Sequence, residues 1–219
     1  MPVVEMSEQA TASPAQSALS LATSCRPGTR FPSYQVVSQA DARPWQLHHM
    51  MPSDGRFRVV VFAGDIADPA QRAKVNELGA WLDSELLSKY PTMALSVGSN
   101  PHVATMKFRT AKQPSIIDVL LVHSAPREEI ELLRDLHETY HPFDPKLGWE
   151  YNKVFVDGLS YHEGHGEAYA KYGVDRQEGA VVVVRPDGYT GLVTHVDADG
   201  RKEIGKWFES VLRHSEPAS

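Results

Sequence analysis

The chain holds one cysteine and ten histidines among 219 residues, and a few of their spacings could support chemistry. His137-Glu-Thr-Tyr-His141 has the form H-E-x-x-H. On a continuous helix the two histidines share a face and can hold Zn²⁺, with Glu138 as the base on a bound water, which would make a zinc metallohydrolase. Pro142 follows at once and disfavours the helical conformation at His141, so the helix is expected to end there. No third ligand stands at the usual metzincin spacing, although Glu163 and His165 are candidates. The competing reading is structural: Ile130, Leu132, Leu133, Leu136 and Tyr140 make an apolar stripe, with His137 on its edge. His162 and His165 flank Gly164 and read as a capped glycine turn entering a helix. His48 and His49 are adjacent in an expected strand, point to opposite faces and cannot share an ion. We therefore assign no metal ligand and no catalytic residue. Cys25, beside Arg26, excludes an intrachain disulfide framework and suits a reducing compartment.

The elements that would position such groups alternate along the chain. An extended arm from Cys25 to Pro44, punctuated by Pro27, Gly28 and Pro32, follows a polar leader over 1–24 that is expected to be disordered. A strand is expected around Trp45 to Met50 and another over Arg56 to Phe62. Asp68-Pro69 supplies an N-cap and first-turn proline for a helix reaching Lys89, with Val75, Leu78, Leu82 and Leu86 as its buried stripe. A strand over Ile116 to Val122 and a helix over Arg127 to Tyr140 come next. Residues 97–114 read equally as hairpin or loop. Val154 to Val156 is a short strand and Gly166 to Tyr172 a helix. The run from Ala180 to Thr194 then carries four consecutive valines, a Pro186-Asp-Gly188 turn and a second strand, expected at the centre of a mixed sheet. Ile204, Trp207, Phe208, Val211 and Leu212 share one face of a last helix, and 214–219 is a tail.

This order predicts an α/β fold, a thioredoxin-like mixed sheet flanked by helices over 45–213, with the arm outside it. Such folds commonly carry a reactive cysteine at a helix N-terminus, usually in C-x-x-C. The corresponding turn here, Ala63-Gly-Asp-Ile-Ala-Asp-Pro69, has two aspartates and no thiol.

Composition narrows the function classes. A formal net charge of −6 with no basic cluster gives no electrostatic reason to bind nucleic acid or an anionic membrane. Neither a signal peptide nor a membrane-length apolar run is legible, which predicts a cytoplasmic protein.

Several runs resemble one family. Pro27-Gly-Thr-Arg-Phe-Pro32, Ala40-Asp-Ala-Arg-Pro44, Leu47-His-His-Met-Met-Pro-Ser-Asp-Gly-Arg56 and Val60-Val-Phe-Ala-Gly64 are similar, in order, to the C-terminal region of phenol 2-monooxygenase and related FAD-dependent aromatic hydroxylases. Val154-Phe-Val-Asp157, Ser160-Tyr-His-Glu-Gly-His-Gly166 and Val184-Arg-Pro-Asp-Gly-Tyr189 continue the likeness. The resemblance implies a thioredoxin-like domain used for dimerisation. Those hydroxylases hold FAD in a long N-terminal portion that begins with a strand, G-x-G-x-x-G and a helix. None of that is present in these residues, so no cofactor site is assigned here. The implied partners are a second copy or a FAD-containing hydroxylase subunit. One reading is a stand-alone, non-catalytic interaction module; the other is a fragment or split subunit of a flavin-dependent aromatic monooxygenase. The resemblance points to Arg30, Phe31 and Pro32 of the arm as interface candidates that would lie against a FAD-containing portion, and the arm's aromatic content adds Tyr34 and Trp45.

Overall fold

The computed structural model describes residues 20–91, 115–145 and 147–212. Its centre is a seven-stranded mixed sheet. The strands, in chain order, are β1 (Gln35–Ser38), β2 (Pro44–Gln46), β3 (Phe57–Gly64) and β4 (Ile117–His123), then β7 (Val154–Val156), β10 (Ala180–Val184) and β11 (Thr190–Thr194). Two short hairpins lie outside it: β5 (Phe143–Asp144) with β6 (Gly148–Trp149), and β8 (Leu159–Ser160) with β9 (Gly164–His165). The helices are α1 (Pro69–Trp81), α2 (Leu132–Asp135), α3 (Ala168–Tyr172) and α4 (Ala198–Val211).

Across the sheet the order is β11-β10-β3-β4-β7-β1-β2, with β3, β4 and β7 parallel and the other neighbours antiparallel. The unit β3-α1-β4 followed by β10-β11-α4, with β3 shared at the middle, is the thioredoxin-like arrangement that the element order predicts. The valine strand is not central, however. It sits one place from the β11 edge, because β7, β1 and β2 add on the far side of β4.

Strand alternation gives the sheet two apolar faces. Val59, Val61, Val181 and Val183 pack under α1 and α4, against Val75, Leu78, Ile204 and Phe208. Val60, Phe62, Val182 and Val184 face the arm and α3, against Cys25, Phe31, Tyr169 and Tyr172. Asp68 caps α1 by accepting from the Ala70 N–H at 3.1 Å, and Pro69 opens it. The helix then widens into a π-helical stretch, Leu82–Leu87, which ends it short of the expected Lys89.

Two other expectations change. The strand over Trp45 to Met50 is three residues of β2 and a 3₁₀ turn, Leu47–Met50. The single helix over Arg127 to Tyr140 is three short turns, at Arg127–Glu129, α2 and Glu138–Tyr140. Side chains have taken over the backbone bonds that a continuous helix would use. Glu131 accepts from the Arg134 N–H at 2.6 Å, and Asp135 accepts from the Glu131 N–H at 2.8 Å. Asn76 of α1 donates to the Asp135 carbonyl at 2.9 Å and accepts from the His137 N–H at 2.8 Å. The whole ambiguous segment, 97–114, lies outside the described residues, as do most of the leader and all of the tail.

Candidate functional site

The turn between β3 and α1 is where a thioredoxin-like fold would display a thiol. Here it is tied up in structural bonds. Tyr169 donates to the Val122 carbonyl and accepts from the Gly64 N–H, both at 2.8 Å, so one phenol joins the ends of β3 and β4. Burial raises its pKa far above the ordinary phenol range, which keeps it a donor. Gln71 donates to the Ala63 and Glu178 carbonyls, each at 2.8 Å. Gly64 has φ +72°, and a Cβ there would stand 2.3 Å from the Gln177 carbonyl oxygen, so only glycine fits. Asp157, fully buried, accepts from the Ala168 and Tyr169 N–H groups at 2.8 and 3.1 Å, and from Arg176 at 2.5 Å.

Cys25 is packed against the second sheet face, with its thiol pushed up to about 12 by burial. A thiolate is the attacking species, so the native thiol should react with a disulfide reagent at pH 8 about a hundredfold slower than the urea-unfolded chain. Stopped-flow thiol titration with and without urea measures this. Equal rates would mean the arm leaves the sheet freely.

The H-E-x-x-H residues do not share a helix face. His137 caps the 3₁₀ turn, its Nδ1 accepting from the Thr139 N–H at 3.3 Å, and His141 ends that turn in a non-helical conformation. His141 is buried, with Nε2 2.9 Å from the Leu136 carbonyl and its ring edge-on to Trp149. Set on a 3₁₀ turn and its exit rather than on one helix, the two histidines do not present the common face that the zinc motif needs. Among the described residues no group of three or more His, Cys, Asp or Glu side chains could hold a metal ion. His162 and His165 lie on the β8–β9 hairpin, where His165 Nδ1 accepts from the Glu167 N–H at 2.8 Å.

The arm candidates converge, but on the interior. Phe31 is 1% exposed and stacks on Tyr172 with ring centroids 5.4 Å apart. Tyr172 donates to the Pro32 carbonyl at 3.1 Å and meets Tyr34 edge-on at 4.7 Å. Trp45 is half-buried in β2, edge-on to His49, and Arg30 alone of the five is exposed. The arm also hydrogen-bonds along the β11 edge: Gly28 N–H to the Thr190 carbonyl, Thr190 N–H to the Thr29 carbonyl and Phe31 N–H to the Gly188 carbonyl, at 2.8, 2.8 and 3.0 Å. The expectation of an uncovered aromatic arm is therefore corrected, since covering this edge and face satisfies backbone groups and buries apolar area within the chain. It also starts earlier than Cys25, because Ala22 bridges Val174.

Apolar side chains left in water are elsewhere. Tyr161 is 91% and Leu159 76% exposed on the β8–β9 hairpin, while Phe143, Leu147 and Tyr151 line the β5–β6 hairpin and its exit. Sequence reasoning did not single these out. The run Leu159-Ser-Tyr161, two large apolar residues leading into a glycine-bearing turn of polar residues, was the available signal.

Fold and site together define a thioredoxin-like α/β module whose thiol position is occupied by structural hydrogen bonds. Residues 5–216 match the family described as phenol hydroxylase, C-terminal dimerisation domain, and the chain belongs to that family. It is 36% identical to phenol 2-monooxygenase fsqG of Aspergillus fumigatus, over 81% of this chain and 26% of that one. It is 32% identical to the FAD-dependent monooxygenase terD of Aspergillus terreus, over 88% of this chain and 29% of that one. A bacterial relative, 3-hydroxybenzoate 4-monooxygenase of Comamonas testosteroni, is 31% identical over 88% and 28%. The chain thus spans between a quarter and a third of the length of these relatives. Among solved structures, peroxidoxin BcpB of Mycobacterium tuberculosis gives a TM-score of 0.47 at 10% identity, covering 86% of this chain and 99% of that chain. No helix among the described residues is long and apolar enough to cross a membrane.

Proposed function

We propose that this chain is a non-catalytic association module of a flavin-dependent aromatic hydroxylase system, and that its own contact is with a second copy of itself. The observation that carries this reading is the match to a dimerisation domain over nearly the whole chain, on a structure whose thiol position is taken up by structural bonds. Both sheet faces are covered within one chain, so the side chains available to a second copy are peripheral. Leu159 and Tyr161 are the foremost of them, being large, apolar and almost unburied. Aromatic side chains at the middle of an interface carry a large part of its binding energy.

Sedimentation equilibrium across a dilution series tests this. The expected mass is twice 24.3 kDa at high concentration. Leu159→Ala with Tyr161→Ala should raise the dimer dissociation constant by about tenfold or more while leaving urea stability within about 0.5 kcal/mol, as surface changes do. A mass of 24.3 kDa at every concentration would end the self-association reading. The length of the relatives favours a second role, docking to a FAD-containing hydroxylase portion. In that role FAD belongs to the partner, and the purified chain should elute from gel filtration without flavin absorbance. Stoichiometric flavin retained on the chain would contradict it.

A further inference from the structure

The larger cavity between the π-helical stretch and β4, about 440 Å³, has the paired Lys153 and Asp118 in its lining, so its lysine is already neutralised. A smaller one, about 180 Å³, differs in kind. It lies between the arm, the 3₁₀ turn after β2 and the β10–β11 turn; arginines from the arm, from β3 and its approach and from the end of β10 converge on it, beside the imidazole of His48. Arg30 lies over the turn, its guanidinium carbon 4.0 Å from where a Cβ would stand on Gly188, and makes no ion pair among the described residues. Arg185 enters from the end of β10 and is paired with Asp187 on the rim. Arg58, only 3% exposed, forms the floor: Nη2 donates to the Pro52 carbonyl at 3.0 Å and to Asp54 at 2.8 Å. Its Nε is ion-paired with Asp118 at 3.3 Å but outside hydrogen-bonding geometry, and is a buried donor that makes no hydrogen bond. Arg56 lines the wall and pairs with Asp54 at 2.7 Å, and His48 closes the side toward Phe31.

Guanidinium groups present forked donors that match planar or tetrahedral oxyanions. Asp54, Asp118 and Asp187 already pair with Arg56, Arg58 and Arg185, but Asp118 is shared with Lys153 and Arg30 has no carboxylate of its own among the described residues, so the recess keeps an excess of positive charge. Asp187 is the one carboxylate in the lining. The recess has room for a carboxylate or a phosphate. We infer that this recess, formed by Arg30, His48, Arg56, Arg58 and Arg185, is a binding site for a compact oxyanion, with Arg30 as its outer clamp and the Arg58 floor as its fixed charge. Arg30 is free to close over the ligand because its backbone alone, bridged to Tyr189, carries its structural role. The site is separate from the exposed hairpin Leu159–His165, and its occupancy does not depend on dimerisation.

Isothermal titration of the full chain with inorganic phosphate, and separately with acetate, in chloride at constant ionic strength tests the inference. Saturable one-site binding is expected for at least one of the two. Phosphate alone identifies a phosphoryl-bearing ligand; acetate binding as well identifies a carboxylate such as an acidic side chain. Arg30→Ala should weaken the bound anion about tenfold, the loss of one charge-assisted hydrogen bond. Arg43→Ala, an exposed arginine paired with Asp41 outside the recess, should change it less than twofold. Urea unfolding of Arg30→Ala alongside wild type confirms that the variant is folded. Non-saturating heats for both anions, or unchanged affinity in Arg30→Ala, would overturn the assignment.

Discussion

Phe31→Ala lowers the stability of the fold by about 3–5 kcal/mol, the usual cost of emptying a buried aromatic site. Phe31 is 1% exposed, stacks on Tyr172 and lies in the same cluster as Val60, Phe62, Val182 and Val184. Truncation removes these contacts and leaves a cavity between the arm and the sheet, which the rigid strands cannot collapse to fill. Deletion through Pro44 goes further, because it removes β1, the strand that joins β7 to β2, and leaves the second sheet face covered only in part, by α3 and Leu47. Urea unfolding followed by tryptophan fluorescence should show the Phe31→Ala midpoint falling sharply. The dimer dissociation constant of the folded fraction should change little. The opposite outcome, a stable fold with weakened association, would return the arm to the interface where its aromatic composition first placed it.

That reversal shows which parts of the structure were legible in the residues. Period-two runs and a capped helix start were readable because they are local: β3, β4, β10 and β11 appear within a residue or two, and Asp68-Pro69 opens α1. Sheet order was not readable, since nothing in four valines says that β7, β1 and β2 extend the sheet beyond β4. The broken helix was hidden for a related reason. Its decisive group is Asn76, some sixty residues upstream, whose side chain holds Asp135 and His137 apart from helical geometry. H-E-x-x-H is a motif only on a helix, so a distant asparagine decides its meaning. The site was less legible than the fold. Aromatic residues on a proline-rich arm look the same whether they await a partner or cover their own sheet, and the choice depends on β11 having an edge to cover. The exposed pair Leu159 and Tyr161 and the arginine recess each gather meaning only when the hairpins are folded into place.

The stability of the chain should fall as pH drops from 6.5 toward 4.5, by about 2 kcal/mol from His123 alone. His123 is fully buried at the end of β4, 3.0 Å from Gln39 Oε1, and Gln39 in turn donates to the Arg127 and Ile130 carbonyls at 3.0 and 2.8 Å. With the Gln39 amide nitrogen committed to those carbonyls, its oxygen must accept, so the His123 proton sits on Nε2 and Nδ1 is left bare. Burial lowers the pKa of the imidazole from 6.5 to about 3. Between those values the unfolded chain binds a proton here that the folded chain does not, so stability is complete above pH 6.5 and is lost as pH falls through the window. His48, also lowered, chiefly by burial, acts in the same direction. Asp54 and Asp118 are buried, which opposes ionisation, yet their arginine and lysine neighbours hold them below the ordinary carboxylate value of 3.8. They add an acid-side loss of the same sign, but it falls mainly below pH 4.5. His123→Gln keeps an amide donor toward Gln39 and removes the titration, so its urea stability should be flatter over pH 4.5–6.5 than that of wild type. Parallel pH profiles for the two proteins would show that the buried imidazole is not the group that senses acid.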